Sequence, residues 1–160
     1  MKRLLFFVFA AVFCIASLSH AAEGSCTFAK VKDLRVIRTW VCTADSGTGN
    51  IGSASAATIT GTGYDEAMNT GLIRWVELTP GSGGDAPSAI TTAKILTTDD
   101  ATTDFAGGLF SGASTTTVTA AMPLDVINGG PMEVNRKALT IQATGIGAGN
   151  VITIRMISDH

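Results

Sequence analysis

The sequence predicts an all-β protein: a β-sandwich, jelly-roll-like, of about 7-8 short antiparallel strands. Three observations point there. Charged residues make up only 15% of the chain, well below the roughly 25% usual in a soluble domain, and the helix formers Glu, Lys, Arg and Gln are scarce. The chain holds 18 glycines and 22 threonines, so turn formers and a β-branched residue dominate. Nearly every apolar segment is short and bounded by Gly, Pro, Ser, Thr or Asp, which is the punctuation of strands. Disorder is excluded by a 46% hydrophobic content with a formal net charge of only −2, enough apolar surface to offset chain entropy.

The first segment is read as a signal peptide rather than part of the fold. Lys2 and Arg3 precede an apolar run over 4–18, and Ser19-His20-Ala21-Ala22 follows. This is the order of charged, apolar and small-residue regions found in secretory signals. A signal peptide over 1–21 and one domain over 22–160 are expected, with cleavage after Ala21 or Ala22. The apolar run is shorter than the roughly 20 residues that span a bilayer, so no stable membrane insertion is expected after cleavage. Cys14 lies inside the run and would be lost with it. The mature chain would carry nine basic and thirteen acidic residues, a mildly acidic balance that gives no footing to a phosphate backbone and excludes nucleic acid as a partner. Lys30, Lys32, Arg35 and Arg38 cluster, and are read as the solvated face of a strand.

Strands are expected over 34–43, 56–62, 71–79, 90–97, 115–121, 123–127, 138–144 and 151–157. The last has the clearest alternation, with Ile152, Ile154 and Met156 opposite Thr153 and Arg155, as suits a sheet with one wet side. Before it, Leu139, Ile141 and Ala143 alternate with Thr140 and Gln142, and the glycine-rich 145–150 between them predicts a hairpin. A helical turn is expected only at 65–69. Longer loops are expected at 46–55, 80–88, 98–112 and 128–137.

Cys26 and Cys42 are an even pair in a chain expected to meet an oxidising compartment, hence a disulfide candidate. Two buried free thiols are the alternative. No Cys-x-x-Cys pair and no cysteine-histidine cluster is present, so structural zinc lacks ligands. The two histidines are His20, inside the expected signal, and His160, the last residue. Without an imidazole in the body of the fold, Ser-His-Asp and Cys-His chemistry is excluded. No enzyme activity and no cofactor are expected.

Asp99, Asp100 and Asp104 are close enough in sequence to share a calcium ion through oxygen ligands. They match no calcium motif, and a solvated acidic turn is the simpler reading. Gly81-Ser82-Gly83-Gly84 lacks the Lys and the following helix of a phosphate loop. Gly145-Ile146-Gly147-Ala148-Gly149 lacks the crossover helix of a dinucleotide site. Trp40, Trp75 and Phe105 are read as core, with a ring-stacking surface as the alternative.

The order of these segments resembles a group of small tailed-phage and prophage virion-associated proteins. The lysine-rich strand with Trp and the Thr-x-Asp turn of that group are similar to 36–40 and Thr43-Ala44-Asp45. Its Leu-x-Arg-x-Val strand and Pro-Gly-Ser-Gly-Gly loop resemble 72–76 and Pro80-Gly81-Ser82-Gly83-Gly84. Its Asp-rich turn ending in Gly-Gly looks like Asp99-Asp100 through Asp104 and Gly107-Gly108. Its closing elements are similar to Asn128-Gly129-Gly130-Pro131-Met132, Leu139-Thr140-Ile141 and 151–157. The group's Asn-Tyr-Asp and Asn-Arg are replaced here by Ala89-Ile90-Thr91 and Leu109-Phe110, and the signal peptide is a further departure.

The resemblance implies a non-enzymatic structural or assembly protein, phage virion-associated or exported as a surface or filament subunit. Its partners would be other protein subunits in a homo-oligomer or larger assembly such as a virion or filament, contacted through Pro131 and the loops at 80–87 and 99–112. The alternative is a secreted carbohydrate- or calcium-binding β-sandwich module using Trp75 or the 99–104 loop. If the signal is used, the protein is periplasmic, cell-surface or extracellular. Intact-mass measurement on protein from its native source should then find a chain beginning at Ala22 or Glu23.

Overall fold

The computed structural model describes residues 24–32, 35–52, 70–97, 102–123, 132–135 and 139–159. The expected signal peptide, the strand at 56–62, the helical turn at 65–69 and most of the strand at 123–127 lie outside them. The strands are β1 (Ser25–Lys32), β2 (Val36–Thr43), β3 (Thr70–Pro80), β4 (Thr92–Thr97), β5 (Thr119–Ala121), β6 (Glu133–Asn135), β7 (Leu139–Thr144) and β8 (Val151–Ser158). All pairings are antiparallel. The larger sheet runs β1-β2-β8-β3-β5, with β6 on a separate stretch of β3, and β4 pairs with β7 in a second sheet. The two pack together as a β-sandwich, the fold expected from the sequence.

The core between them follows from alternation. Ile152, Ile154 and Met156 of β8, Trp40 and Cys42 of β2, and Ile73, Val76 and Leu78 of β3 are buried from the larger sheet. Ala93 and Ile95 of β4 meet them with Leu139, Ile141 and Ala143 of β7. Burying such side chains stabilises the fold by about 1.5–3 kcal/mol each.

The hairpin expected between β7 and β8 does not form. β7 pairs with β4, whereas β8 inserts between β2 and β3. Residues 145–150 turn the chain from one sheet to the other. The cause is Ile146, fully buried in the middle of the turn, which anchors the corner in the core. A 145–150 turn looping out from a β7-β8 hairpin would have left it in water.

β1, which the sequence reading missed, pairs along its whole length with β2 and places Cys26 directly opposite Cys42. Their Cα atoms lie 4.0 Å apart and the side chains form a disulfide, so the free-thiol alternative is set aside. Closing a loop of this size contributes on the order of 3 kcal/mol in the chain-entropy account. Arg38 corrects a second expectation. It shares the inner face of β2 with Val36, Trp40 and Cys42 and is fully buried. Its Nη1 donates to Ser158 Oγ at 2.7 Å, because a buried guanidinium requires such partners.

In β3 the register against β8 slips between Ile73 and Trp75. This bulge inserts Arg74 as an extra residue. Ile73 and Val76 can then both face the core while Arg74 and Trp75 stay exposed. Arg74 reaches Asp159 through its Nε, and Arg35 approaches the same carboxylate at 3.9 Å. Both pairs are solvent-exposed and stabilise little.

The end of the sandwich is closed by two interlocked turns. Ile51 and Ala143 exchange backbone hydrogen bonds of 2.8 Å in both directions, Ala44 N–H donates to Asn150 O, and Gly147 N–H donates to Gly49 O. Gly49 has φ +67°, and a Cβ there would lie 2.9 Å from Gly147 Cα, so only glycine lets the turns meet. Asp45 organises the first turn. Its Oδ1 accepts from Thr48 N–H at 2.6 Å and Gly47 N–H at 3.0 Å. The Thr48 N–H above all, helped by the Thr48 hydroxyl and the Gly47 and Ser46 amides, holds this carboxyl below its ordinary pKa against the opposing effect of burial. A lowered folded-state pKa gives stability that is complete above the unfolded value of about 3.9 and is lost as pH falls through the folded value. Asp45→Asn should therefore be less stable than the parent at neutral pH, and urea denaturation across pH should show the gap closing below about pH 4.

Candidate functional site

The inner face of the larger sheet is filled by the core, so its outer face is the surface the fold presents. The registers define that face row by row. Val31, Ile37, Ile157 and Trp75 stand side by side on β1, β2, β8 and β3. Ala29, Thr39, Arg155, Glu77 and Ala120 form the next row, and Thr27, Val41, Thr153 and Thr79 the third. Continuing the β5 register by one residue at each end puts Met122 beside Trp75 and Val118 beside Thr79.

Among the described residues the exposed large apolar side chains are Val31 at 58%, Val118 at 54%, Met122 at 48%, Val41 at 41% and Trp75 at 40%. Val31 and Trp75 belong to the first row and Val41 to the third, and Val118 and Met122 flank β5, where its continued register leads to the same face. Exposed apolar residues are ordinary when scattered, but gathered into one patch they mark a contact surface. Alternation explains how they arise. The β-branched and aromatic residues that favour strands fall on both faces of the sheet, and here the outer set includes Val, Ile and Trp beside Thr.

The residues singled out in the sequence fare differently. Trp40 and Phe105 are buried, and Trp40 packs against Phe28 with ring centroids 5.3 Å apart. Trp75, read as core, is half-exposed because the β3 bulge turns it outward. Asp99, Asp100 and Pro131 lie outside the described residues. The Asp104 carboxylate is occupied by the backbone. Its Oδ1 accepts from Ile95 N–H at 3.0 Å and Ala106 N–H at 2.9 Å, and its Oδ2 accepts from Gly108 N–H at 2.9 Å. These bonds fold the following loop against β4 and press Phe105, Ala106 and Phe110 into the core. The loop expected to contact other subunits thus turns its largest apolar groups inward. In the 80–87 loop the exposed positions are Ser82, Gly83, Gly84 and Asp85.

Among the described residues no three His, Cys, Asp or Glu side chains gather as a metal site, and no helix is long and apolar enough to cross a membrane. The described carboxylates at Asp45, Asp104 and Asp159 bind backbone amides or arginines. What this surface offers chemically is contact area: three largely apolar rows that carry Arg155 and Glu77, bordered beyond the first row by Arg35, Asp159 and Arg74. Comparison with protein-family models, with curated proteins and with solved structures finds no match to this chain. The outer-face pattern was accessible in principle, since the alternation of β2 and β8 gives it directly, but β1 and the β3 bulge had to be placed before the rows could be aligned.

Replacing Asp104 by Ala orphans three backbone donors, so a loss of at least about 2 kcal/mol is expected. Thermal melts in calcium-free buffer should show it. Calcium should leave the melting temperature of the parent unchanged, and a rise abolished by Asp104→Ala would instead assign the carboxylate to an ion.

Proposed function

We propose that the protein is a non-enzymatic structural subunit that assembles with other protein subunits through the outer face of its larger sheet. It either decorates a phage particle or serves outside the cell as a surface or filament subunit. The observation that supports this most is that the exposed large apolar side chains of the paired strands, Val31, Val41 and Trp75, share that one face, with Val118 and Met122 flanking its edge strand β5. The buried disulfide suits an oxidising compartment and so favours the exported form. Assembly is assigned to the sheet face rather than the loops, because the 104–112 loop spends its aromatic residues on the core.

The secreted carbohydrate-binding reading has one observation in its favour, the outward Trp75 on the sheet face. Its row neighbours Ile157, Ile37 and Val31 are aliphatic. Sugar hydroxyls need polar partners beside a stacking ring, so this reading ranks second.

Immunogold labelling of particles and of producing cells tests the proposal. Label on virions or surface filaments is expected, and Trp75→Ser or Val31→Ser should reduce it while changing the melting temperature little, because both side chains are already exposed. Label on neither, together with retention on a polysaccharide column lost in Trp75→Ser, would replace assembly by carbohydrate binding.

A further inference from the structure

We infer that the outer face of the larger sheet is a self-complementary surface that pairs with the same face of a second copy of this chain, about a two-fold axis running along the strands between β8 and β3. The inference rests on the assembly reading and goes further by naming the occupant and the register.

The two charges within the rows fix the axis. Arg155 on β8 and Glu77 on β3 are direct cross-strand neighbours near the centre of the face. Two sheets packed face to face by a two-fold axis require that axis to lie in the interface. An axis along the strands between β8 and β3 sets β8 of each copy over β3 of the other. Each Arg155 then meets the other copy's Glu77. Setting the axis on β8 itself would place arginine on arginine, and an axis across the strands would lay the Trp75 row on the Thr79 row.

The same operation pairs the row positions of β2 with those of the β5 segment of the other copy, whereas β1 falls beyond the other copy's β5 and stays outside the overlap. In the first row Ile157 lies on Trp75 and Ile37 on Met122; in the second, Thr39 lies on Ala120. In the third, Thr153 lies on Thr79 and Val41 on Val118. Apolar groups meet apolar groups, Thr153 meets Thr79, the small Ala120 leaves room for Thr39, and both charges meet their opposites, the complementarity that fixes register in an interface. Sheets stacked this way pack about 10 Å apart with strands nearly aligned, the geometry already found inside sandwiches.

Edge addition is the competing route for a β protein, and the sequence opposes it. The long edge strand β1 carries Lys30 and Lys32, and lysine on an edge discourages strand pairing. The size of the face sets the strength expected. At about 4.8 Å between strands and about 3.4 Å per residue it measures roughly 20 Å by 20 Å. Pairing would cover on the order of 1,000 Å² over both copies, the small end of specific interfaces. The association is therefore reversible and concentration-dependent.

Sedimentation of the purified mature protein over a range of concentrations tests this, read together with acrylamide quenching of tryptophan fluorescence. Trp40 is buried throughout, so a change with concentration reports Trp75. A monomer-dimer equilibrium is expected, with Trp75 shielded in the dimer. Arg155→Glu and Glu77→Arg should each weaken dimerisation tenfold or more with only a small drop in melting temperature, since each sets like charges opposite one another within the chain as well, and the double exchange should restore dimerisation. A chain monomeric at millimolar concentration overturns the pairing, and if it still labels particles or filaments the assembly reading survives alone. Dimerisation unaffected by Trp75→Ser, or single charge variants that the double exchange does not rescue, also overturns it. Dimers that respond as expected in a protein that labels neither particles nor filaments would support the pairing and remove the assembly role.

Discussion

The reciprocal hydrogen bonds between Ile51 and Ala143 hold together what the rest of the fold requires to be separate. Ile51 follows β2 of the larger sheet and Ala143 lies in β7 of the smaller one, so this short bridge fixes the spacing of the two layers at one end. Ile146 fills the corner beneath it. With the corner set, the chain leaves β7 on one layer and enters β8 on the other, and β8 can lie between β2 and β3. Weakening the bridge would loosen both layers, because no local turn joins β8 to either of its partners. The smaller sheet is covered on its inner face by the larger one, and on its other face Leu96 and its cross-strand partner Thr140 are buried as well.

Much of this was legible in the sequence where the physics is local. The alternation over 151–157 gave β8 its faces, and the even cysteine pair pointed to the bond that joins β1 to β2. Errors came where a tertiary partner overrode a local signal. Two alternating segments around Gly145, Gly147 and Gly149 read as a hairpin, and only the burial of Ile146 shows why they part. Arg38 read as surface because arginine usually is, yet its parity with Trp40 and Cys42 already placed it on the inner face. β1 was missed because Ser25 to Lys32 mixes Lys with apolar residues and lacks a strong β run. Trp75 was assigned to the core since a bulge, one extra residue in a ladder, leaves no compositional trace.

The outer face shows how a surface and an interior can be built from one residue vocabulary. Strands of a sandwich need β-branched and aromatic residues for their backbone conformation, and polar residues on one side to keep the sheet dissolved. Here threonine fills much of the second role, which retains strand propensity at little charge. The result is a face whose polarity comes from hydroxyls and from Arg155 and Glu77 within its rows, with the Arg74, Asp159 and Arg35 cluster at its border. Such a face is only weakly hydrated, and its desolvation on contact costs less than that of a field of lysines and glutamates.

The central place of β8 also bears on how the chain folds. β2 and β3 are joined only through β8, which follows both of them in the chain. β1 can pair with β2 as soon as the two are present, whereas the larger sheet, and the core it backs, closes only when 151–158 has found its place between strands far from it in sequence. Contacts of such long separation are slow to form, because the loops they close cost entropy before the pairing repays it.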